Sequence, residues 1–169
     1  MYYSTHISPV GELLATAAVV HGPITGLYLP AQNRHPAVDW VRHEATFAVL
    51  WAQLTEYFAG SRKCFDLKLA PAGTPLQEEV WRQLQQIEYG DTVTYSELAA
   101  SVARPGSPRA IGSANARNPI SIVIPCHRVI GRNGSLTGYA GGLPAKQWLL
   151  THEGALDGAS TRPDDTMIG

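Results

Sequence analysis

Cys126 and His127 are the neighbouring side chains in this sequence that could carry out covalent chemistry. A thiol near cationic groups loses its proton readily, its pKa falling from about 8.5 toward 7 or below, and the thiolate is the nucleophile. Arg128 follows the pair directly and adds a positive charge. The sequence therefore predicts a nucleophilic thiolate at Cys126. The alternative that stays open is a buried Cys126 that packs as a small apolar side chain.

The direct adjacency of these two residues poses a geometric difficulty. Neighbouring residues of a strand point to opposite faces, so His127 cannot simply lie against Cys126. Either the backbone is irregular after Pro125, or a water molecule bridges the thiol and the imidazole. A water-mediated relay needs a group that orients the far side of His127. Glu153 is the only carboxylate between residues 98 and 156 and is therefore the expected orienting residue.

Charge is distributed unevenly along the chain. The net charge of the 169 residues is −1, yet the segment 98–152 contains six Lys or Arg residues and no Asp or Glu. Such asymmetry is typical of a surface that faces a polyanion, although chance clustering on a solvated face explains it equally well.

Composition excludes several classes of protein. At 44% apolar and 16% charged residues, the chain can bury a hydrophobic core. No apolar run approaches the roughly 18 residues of a membrane span, and the N-terminus lacks a signal-peptide pattern. Two cysteines, Cys64 and Cys126, are too few for a disulfide framework or a cysteine-rich zinc site. We expect a cytoplasmic protein with reduced thiols, no cofactor and no metal; four histidines are interpreted as surface or packing residues: His6, His21, His35 and His43.

Residues 1–73 are predicted to form a small α/β domain with a short antiparallel sheet. Three β-prone stretches are separated by Pro and Gly turn signals: Tyr2–Ile7, Glu12–Val20 and Ile24–Leu29. Apolar residues at helical spacing then predict a helix that ends near Gly60. These residues are Trp40, Phe47, Trp51, Leu54 and Phe58. A further short strand is predicted at Phe65–Leu69, and residues 70–73 form the predicted linker.

Residues 74–169 are predicted to form a second, mostly helical domain, with a loose tail from about residue 155. Two capping boxes open its first two helices: Thr74 with Gln77, and Thr94 with Glu97. The first helix is predicted to bury Val80, Leu84 and Ile87 and to end at Gly90. The second is predicted to run to about Val102.

A third helix is predicted from Pro108 to about Ala116, after a break at residues 104–106. Two short helices across a tight turn are typical of a helix-turn-helix, although an ordinary helical hairpin has the same pattern. The basic residues of the third helix favour a DNA-reading element. Ile120–Ile124 is predicted to be a buried extended segment, and a last helix is predicted from Pro144 to Gly154.

Several motifs resemble those of the O6-alkylguanine-DNA alkyltransferases, in the order of that family. The active-site signature is Pro125-Cys126-His127-Arg128-Val129, preceded by Asn118-Pro119. Three further segments match: residues 109–112, 138–142 and 148–154. The likeness of the motifs is strong from about residue 74 to residue 154. Before residue 74 the likeness is limited to the predicted architecture. It implies an α+β fold in which a ribonuclease H-like N-terminal domain precedes a winged-helix-like helix-turn-helix domain.

The resemblance implies direct-reversal DNA repair. Cys126 would accept the alkyl group of O6-alkylguanine, and of O4-alkylthymine, irreversibly and in one turnover. His127 and Glu153 would form the water-mediated relay that produces the thiolate, Asn118 would brace the turn, and Tyr95 would donate a proton to the departing base. Arg128 is expected to be structural, in an ion pair.

The same resemblance implies double-stranded DNA as the partner, bound through the minor groove by a monomer that can cluster on DNA. Arg109 would fill the gap left by a flipped base. Other implied DNA contacts are Thr94, Ser96, Ala110 and Gly112. The guanine pocket would be formed by Tyr139, Ala140 and the carbonyl of Val129, although core packing would also explain Tyr139.

Two alternatives differ from this function. A relative that recognises alkylated guanine without repairing it would carry another residue in place of Cys126. A Cys-His hydrolase would need the imidazole in direct contact with the sulfur and donors for an oxyanion, which direct sequence adjacency disfavours.

Overall fold

The computed structural model describes residues 1–103 and 107–156. Contacts divide the chain into two compact units. The first comprises residues 1–72 together with 119–121, and the second comprises residues 73–118 and the chain from residue 122 onward. The predicted break at Arg104-Pro105-Gly106 lies outside the described residues, as does the predicted loose tail from residue 157 onward.

The first unit is built on a four-stranded sheet of order β3-β2-β1-β4. β1 (Tyr2–Ser8), β2 (Gly11–Ala17) and β3 (Ile24–Tyr28) are antiparallel neighbours, which confirms the three predicted strands. Five consecutive residues of β2, residues 13–17, are buried, as expected for the central strand of a covered sheet. β4 (Val41–Arg42) pairs in parallel with β1 and was not predicted.

The helix of the first unit begins later than its apolar pattern indicates. A 3₁₀ turn spans Glu44–Phe47 and leads into α1 (Ala48–Phe58), so Trp40 lies outside the helix. His43 sets this start, because its side chain accepts a hydrogen bond from the backbone N–H of Thr46 at 3.3 Å. The buried side of α1 consists of Leu50, Trp51, Gln53, Leu54 and Tyr57.

The predicted strand Phe65–Leu69 is wrong in all but one residue. Leu69 forms a single bridge to Ile24. The backbone of Asp66 bonds instead to the side chain of Gln53. The N–H of Asp66 donates to Gln53 Oε1, and Gln53 Nε2 donates to the carbonyl of Asp66, at 2.9 Å each. A glutamine side chain therefore satisfies both backbone groups of Asp66, and Ile24 of β3 bonds the backbone of Lys68 and Ala70 at the end of the segment.

The segment Ile120–Ile124 is buried as predicted but is not extended. Ile120 bridges to Leu27 of the first unit, and the backbone then turns. Ile122 has φ +71°, a left-handed conformation that is unusual for a β-branched residue and reverses the chain. This turn leads directly to Pro125 and Cys126.

The described residues of the second unit contain four α-helices: α2 (Pro75–Leu84), α3 (Tyr95–Ser101), α4 (Pro108–Ala116) and α5 (Leu143–His152). Both predicted capping boxes are present. α3 and α4 pack against each other and on α2, where Trp81 Nε1 donates to the carbonyl of Ala114 at 2.8 Å. Ile87 is buried beyond the end of α2 rather than on it.

A two-residue ladder completes the second unit. β5 (Val93–Thr94) pairs in parallel with β6 (Val129–Ile130). β5 leads directly into α3, and β6 directly follows the turn that carries Cys126. No helix in the described part of the chain is long and apolar enough to cross a membrane.

Candidate active site

Cys126 lies in a short 3₁₀ turn, Cys126–Arg128, that begins directly after Pro125. The backbone N–H of Cys126 donates to Ile124 at 2.8 Å, and that of Arg128 donates to Pro125 at 3.0 Å. The irregular backbone expected after Pro125 is therefore present, and successive side chains do not alternate as in a strand. All three side chains of the turn are buried.

Asn118 contacts both the turn and the thiol. Its Nδ2 donates to the carbonyl of Ile124 at 2.7 Å and to Cys126 Sγ at 3.1 Å. The resemblance implied only that Asn118 braces the turn. The structure adds a hydrogen bond that stabilises negative charge on the sulfur.

The expectation that neighbouring cations lower the pKa of Cys126 is wrong in its net direction. Burial raises the pKa of the thiol, because a thiolate is poorly solvated there. Hydrogen bonds from Asn118 and Tyr139 and the charge of Lys146 act in the opposite direction. Arg128 lies near the thiol in the sequence, but its guanidinium bonds to Glu153 and Ile87 and is not among the groups that lower this pKa.

His127, Arg128 and Glu153 form a buried cluster beneath the turn. His127 Nε2 lies 2.8 Å from Glu153 Oε1. Arg128 donates to both carboxylate oxygens, at 2.9 and 3.0 Å, and to the carbonyl of Ile87 at 2.6 Å. The structure thus brings His127 and Glu153 together, and it places Arg128 in the ion pair expected of a structural residue.

The charge state of this cluster fixes which nitrogen of His127 carries the proton. Burial opposes ionisation of Glu153, but the hydrogen bonds and charges of His127 and Arg128 lower its pKa to about 2. Burial lowers the pKa of His127, so the imidazole is neutral. An ionised carboxylate only accepts hydrogen bonds, so Nε2 carries the proton and Nδ1 is left as an acceptor. Nδ1 has no hydrogen-bond partner among the described residues.

Lys146 is a functional candidate that the sequence interpretation missed. It is 0% exposed, and its Nζ donates to the carbonyls of Val129 at 2.6 Å and Thr137 at 2.9 Å. Its spacing from Leu149, Leu150 and Glu153 places it on the buried side of α5, and this pattern was the signal that could have identified it. Burial lowers the pKa of Lys146 to about 8.

The residues expected to line a guanine pocket lie near the turn. Tyr139 is half-buried, with its ring edge-on to His127 at 6.5 Å between centroids, and Ala140 follows it. The carbonyl of Val129 already accepts from Lys146, so one lone pair is left for a base. Tyr95 is half-buried at the start of α3, and the β5–β6 ladder holds that start close to the Cys126 turn.

The residues expected to contact DNA lie on the helical pair. Arg109 is exposed in the first turn of α4, which Ser107 caps by accepting from the N–H of Ala110 at 3.1 Å. Ser96 is exposed on α3, whereas the hydroxyl of Thr94 accepts from the N–H of Glu97. A Cβ added to Gly112 would have nothing within 4 Å, so packing inside the chain does not require glycine there.

A metal centre is not supported by the described residues. Within residues 1–103 and 107–156, no three His, Cys, Asp or Glu side chains are grouped so that they could hold a metal ion.

Comparisons with known proteins agree along nearly the whole length of the chain. Residues 1–71 match the ribonuclease-like domain of 6-O-methylguanine DNA methyltransferase, and residues 75–155 match its DNA binding domain. The methylated-DNA–protein-cysteine methyltransferase of Methanosarcina acetivorans is 46% identical over 160 residues, which cover 92% of this chain and 99% of the relative. The constitutive methylated-DNA–protein-cysteine methyltransferase of Bacillus subtilis is 45% identical over 161 residues, with 90% and 94% covered.

A solved structure of similar fold is that of Mycobacterium tuberculosis OGT in complex with DNA. It is 39% identical, with a TM-score of 0.83, and the match covers 92% of this chain and 94% of that one. Sequence and fold agree from the first strand of the sheet to the end of α5. The chain belongs to the 6-O-methylguanine DNA methyltransferase family.

Proposed function

We propose that this protein repairs alkylated DNA by moving the alkyl group from O6 of guanine to its own Cys126. The thiolate sulfur attacks the alkyl carbon, a C–S bond forms and the C–O6 bond breaks. The electron pair of the broken bond stays on the guanine, which then takes up a proton. The product is a stable thioether, so each chain acts once. The observation that carries the proposal is the buried Cys126, bonded by Asn118 and set beside the His127–Glu153 pair.

The thiol must lose its proton before it attacks. His127 Nδ1 is the buried acceptor, and its partner Glu153 would stabilise the imidazolium that forms. No hydrogen bond joins the side chains of Cys126 and His127 in the described part of the chain, so one water molecule between them would complete the relay. Asn118 stabilises the resulting thiolate directly.

Displacement at a saturated carbon needs no oxyanion hole, but it needs help for the leaving base. We assign that role to Tyr95, whose hydroxyl would donate to the departing guanine. The backbone around Tyr139 and Ala140 and the free lone pair of the Val129 carbonyl would hold the base. O4-alkylthymine presents the same O-alkyl group beside a ring nitrogen and would react in the same way.

A buried sulfur cannot reach a base that is stacked in a duplex. The target nucleotide must therefore rotate out of the helix, and Arg109 would fill the gap that it leaves. The first turn of α4 suits a position against DNA phosphates, because backbone N–H groups and the helix dipole favour anions there. Thr94, Ser96, Ala110 and Gly112 complete the proposed minor-groove surface. The DNA in the M. tuberculosis structure supports this proposal.

We place the protein in the cytoplasm. Both Cys64 and Cys126 are free thiols. A reaction that consumes a free thiol favours a reducing compartment, where disulfides rarely form.

The test is incubation with duplex DNA that carries one O6-methylguanine, followed by peptide mapping of the protein by mass spectrometry. We expect one methyl group, on the peptide that contains Cys126, and none in Cys126→Ala. Cys64→Ser is the matched control and should accept the methyl normally. A methyl group on Cys64, or none on the protein while guanine is restored, would refute the proposal.

A further inference from the structure

Lys146 is a buried cation without a conventional counter-ion. Its two hydrogen-bond partners, Val129 and Thr137, offer neutral carbonyl oxygens. No carboxylate in residues 1–103 and 107–156 lies within ion-pair distance of it. Glu153, about two helical turns further along, is bonded to His127 and Arg128. Buried charges are normally paired, so the isolation of Lys146 calls for an anion that forms only in one state of the protein.

Cys126 is the group that can supply this anion. The carbonyl that holds Lys146 belongs to Val129, which directly follows the Cys126 turn. The positive charge of Lys146 acts on Cys126 and lowers its pKa, and a thiolate at Cys126 acts on Lys146 in return. An ammonium has three N–H donors, and the two carbonyls occupy two of them.

We propose that the Lys146 ammonium is the counter-cation of the Cys126 thiolate and positions it for attack. This assignment rests on the function proposed above. The same ammonium bonds the carbonyl of Thr137, just before Tyr139, and the carbonyl of Val129 in β6. One side chain therefore supplies the positive charge and also connects these two segments. Lys146 is a positioning residue, because it acts through Cys126 and not on the alkyl group.

Transfer of the alkyl group changes the charge balance of this cluster. The thiolate becomes a neutral thioether, while Lys146 keeps its charge in the same buried surroundings. We therefore expect Lys146 to release its proton at a lower pH after alkylation than before. The titratable or charged groups that interact in this cluster are Cys126, His127, Tyr139, Arg128 and Glu153.

The first test measures the reactivity of Cys126 with iodoacetamide as a function of pH, in a Cys64→Ser background. Lys146→Met keeps the apolar stem and removes the charge. We expect the midpoint of the pH profile to rise by about one unit and the rate at pH 7 to fall about tenfold. The plateau rate at high pH should stay unchanged. Lys68→Met, at an exposed position, is the matched control and should leave the profile unaltered.

An unchanged midpoint with a lower plateau would overturn the proposal, because it would show that Lys146 only holds the loop. If Lys146→Met does not fold, the unsubstituted side chain can be titrated by NMR before and after iodoacetamide caps Cys126. We expect the midpoint of Lys146 to fall by about one pH unit on capping. An equal midpoint in both forms would contradict the proposal.

These measurements separate the two hypotheses. Iodoacetamide involves neither DNA nor guanine, so the coupling between Lys146 and Cys126 can be observed even if the protein accepts no methyl group from DNA. Loss of methyl transfer with an intact coupling would refute the proposed function, and normal methyl transfer without coupling would refute the role of Lys146.

Discussion

Three side chains around Cys126 act on its charge, and each comes from a different element. Asn118 follows α4, Tyr139 belongs to the segment 138–142, and Lys146 lies in α5. They oppose the effect of burial, which favours the neutral thiol. Reactivity at Cys126 therefore depends on the packing of the second unit and not on the local sequence Cys-His-Arg alone.

Glu153 is the residue whose substitution should change both the stability of the chain and the reactivity of Cys126. Glu153→Gln removes the negative charge that pairs with Arg128 and orients His127. An uncompensated buried Arg128 should lower the free energy of unfolding by about 3 kcal/mol at pH 7. The pH profile of methyl transfer should shift upward, because His127 becomes a poorer proton acceptor. Glu12→Gln, at an exposed position, is the control and should change neither quantity.

The pH dependence of stability gives a second measure of the same residue. The pKa of Glu153 is about 2 in the folded chain, against an ordinary value of 4.5. The stability that it contributes is present above pH 4.5 and is lost as the pH falls from 4.5 toward 2. Urea unfolding of the unsubstituted protein and of Glu153→Gln measures this contribution. The difference between their free energies of unfolding should shrink as the pH falls from 4.5 toward 2. A difference that stays constant as the pH falls would mean that the carboxylate is not held ionised by its partners.

At the scale of single residues, the sequence predicted Glu153 because no other carboxylate lies between residues 98 and 156. It did not predict Lys146 or the bond from Asn118 to sulfur. The helical spacing of α5 could have indicated that Lys146 is buried. Its bonds to Val129 and Thr137 and the bond from Asn118 to sulfur depend on how separate segments pack, which a local sequence pattern does not specify.

At the scale of elements, predictions that rested on capping chemistry were confirmed. Thr74 and Thr94 start their helices as expected, because the side-chain oxygen and the N–H that it bonds lie within three residues of each other. Predictions that rested on an apolar pattern alone were less accurate. Within Phe65–Leu69, Gln53 bonds the backbone of Asp66 and only Leu69 bridges to a strand. Ile120–Ile124 turns at Ile122.

The α4 helix offers a test of the proposed DNA surface. Gly112→Ala should raise the stability of the helix by about 1 kcal/mol, since an added Cβ meets no neighbour in the chain. Affinity for duplex DNA should fall if the backbone of α4 approaches the duplex closely. Thermal unfolding and fluorescence anisotropy with a labelled duplex measure the two effects.

The internal control for Gly112→Ala is reaction with the free base O6-methylguanine, which needs no DNA contact and should be unchanged. Unaltered affinity for the duplex would place the DNA on another surface. Equal losses with duplex and free base would instead indicate damage to the active site.

At the scale of the whole molecule, the structure changes the meaning of the basic segment 98–152. Arg128 and Lys146 are buried at the active site and cannot face a polyanion. Among the described residues, the exposed cations of the segment are Arg109, Arg117 and Arg132. The absence of acidic residues from this segment has two consequences. Its exposed surface carries no negative side chain that would repel DNA, and its interior offers Lys146 no carboxylate that would compete with the Cys126 thiolate.

The central claim is that Cys126 accepts one alkyl group and is then consumed. Titration of a fixed amount of duplex O6-methylguanine with increasing protein tests it most directly, with restored guanine measured at completion. We expect restored guanine to rise linearly with protein, at one guanine per chain, and Cys126→Ala to restore none. Restoration of several guanines by each chain would contradict the account, because it would require a catalyst that regenerates its thiol.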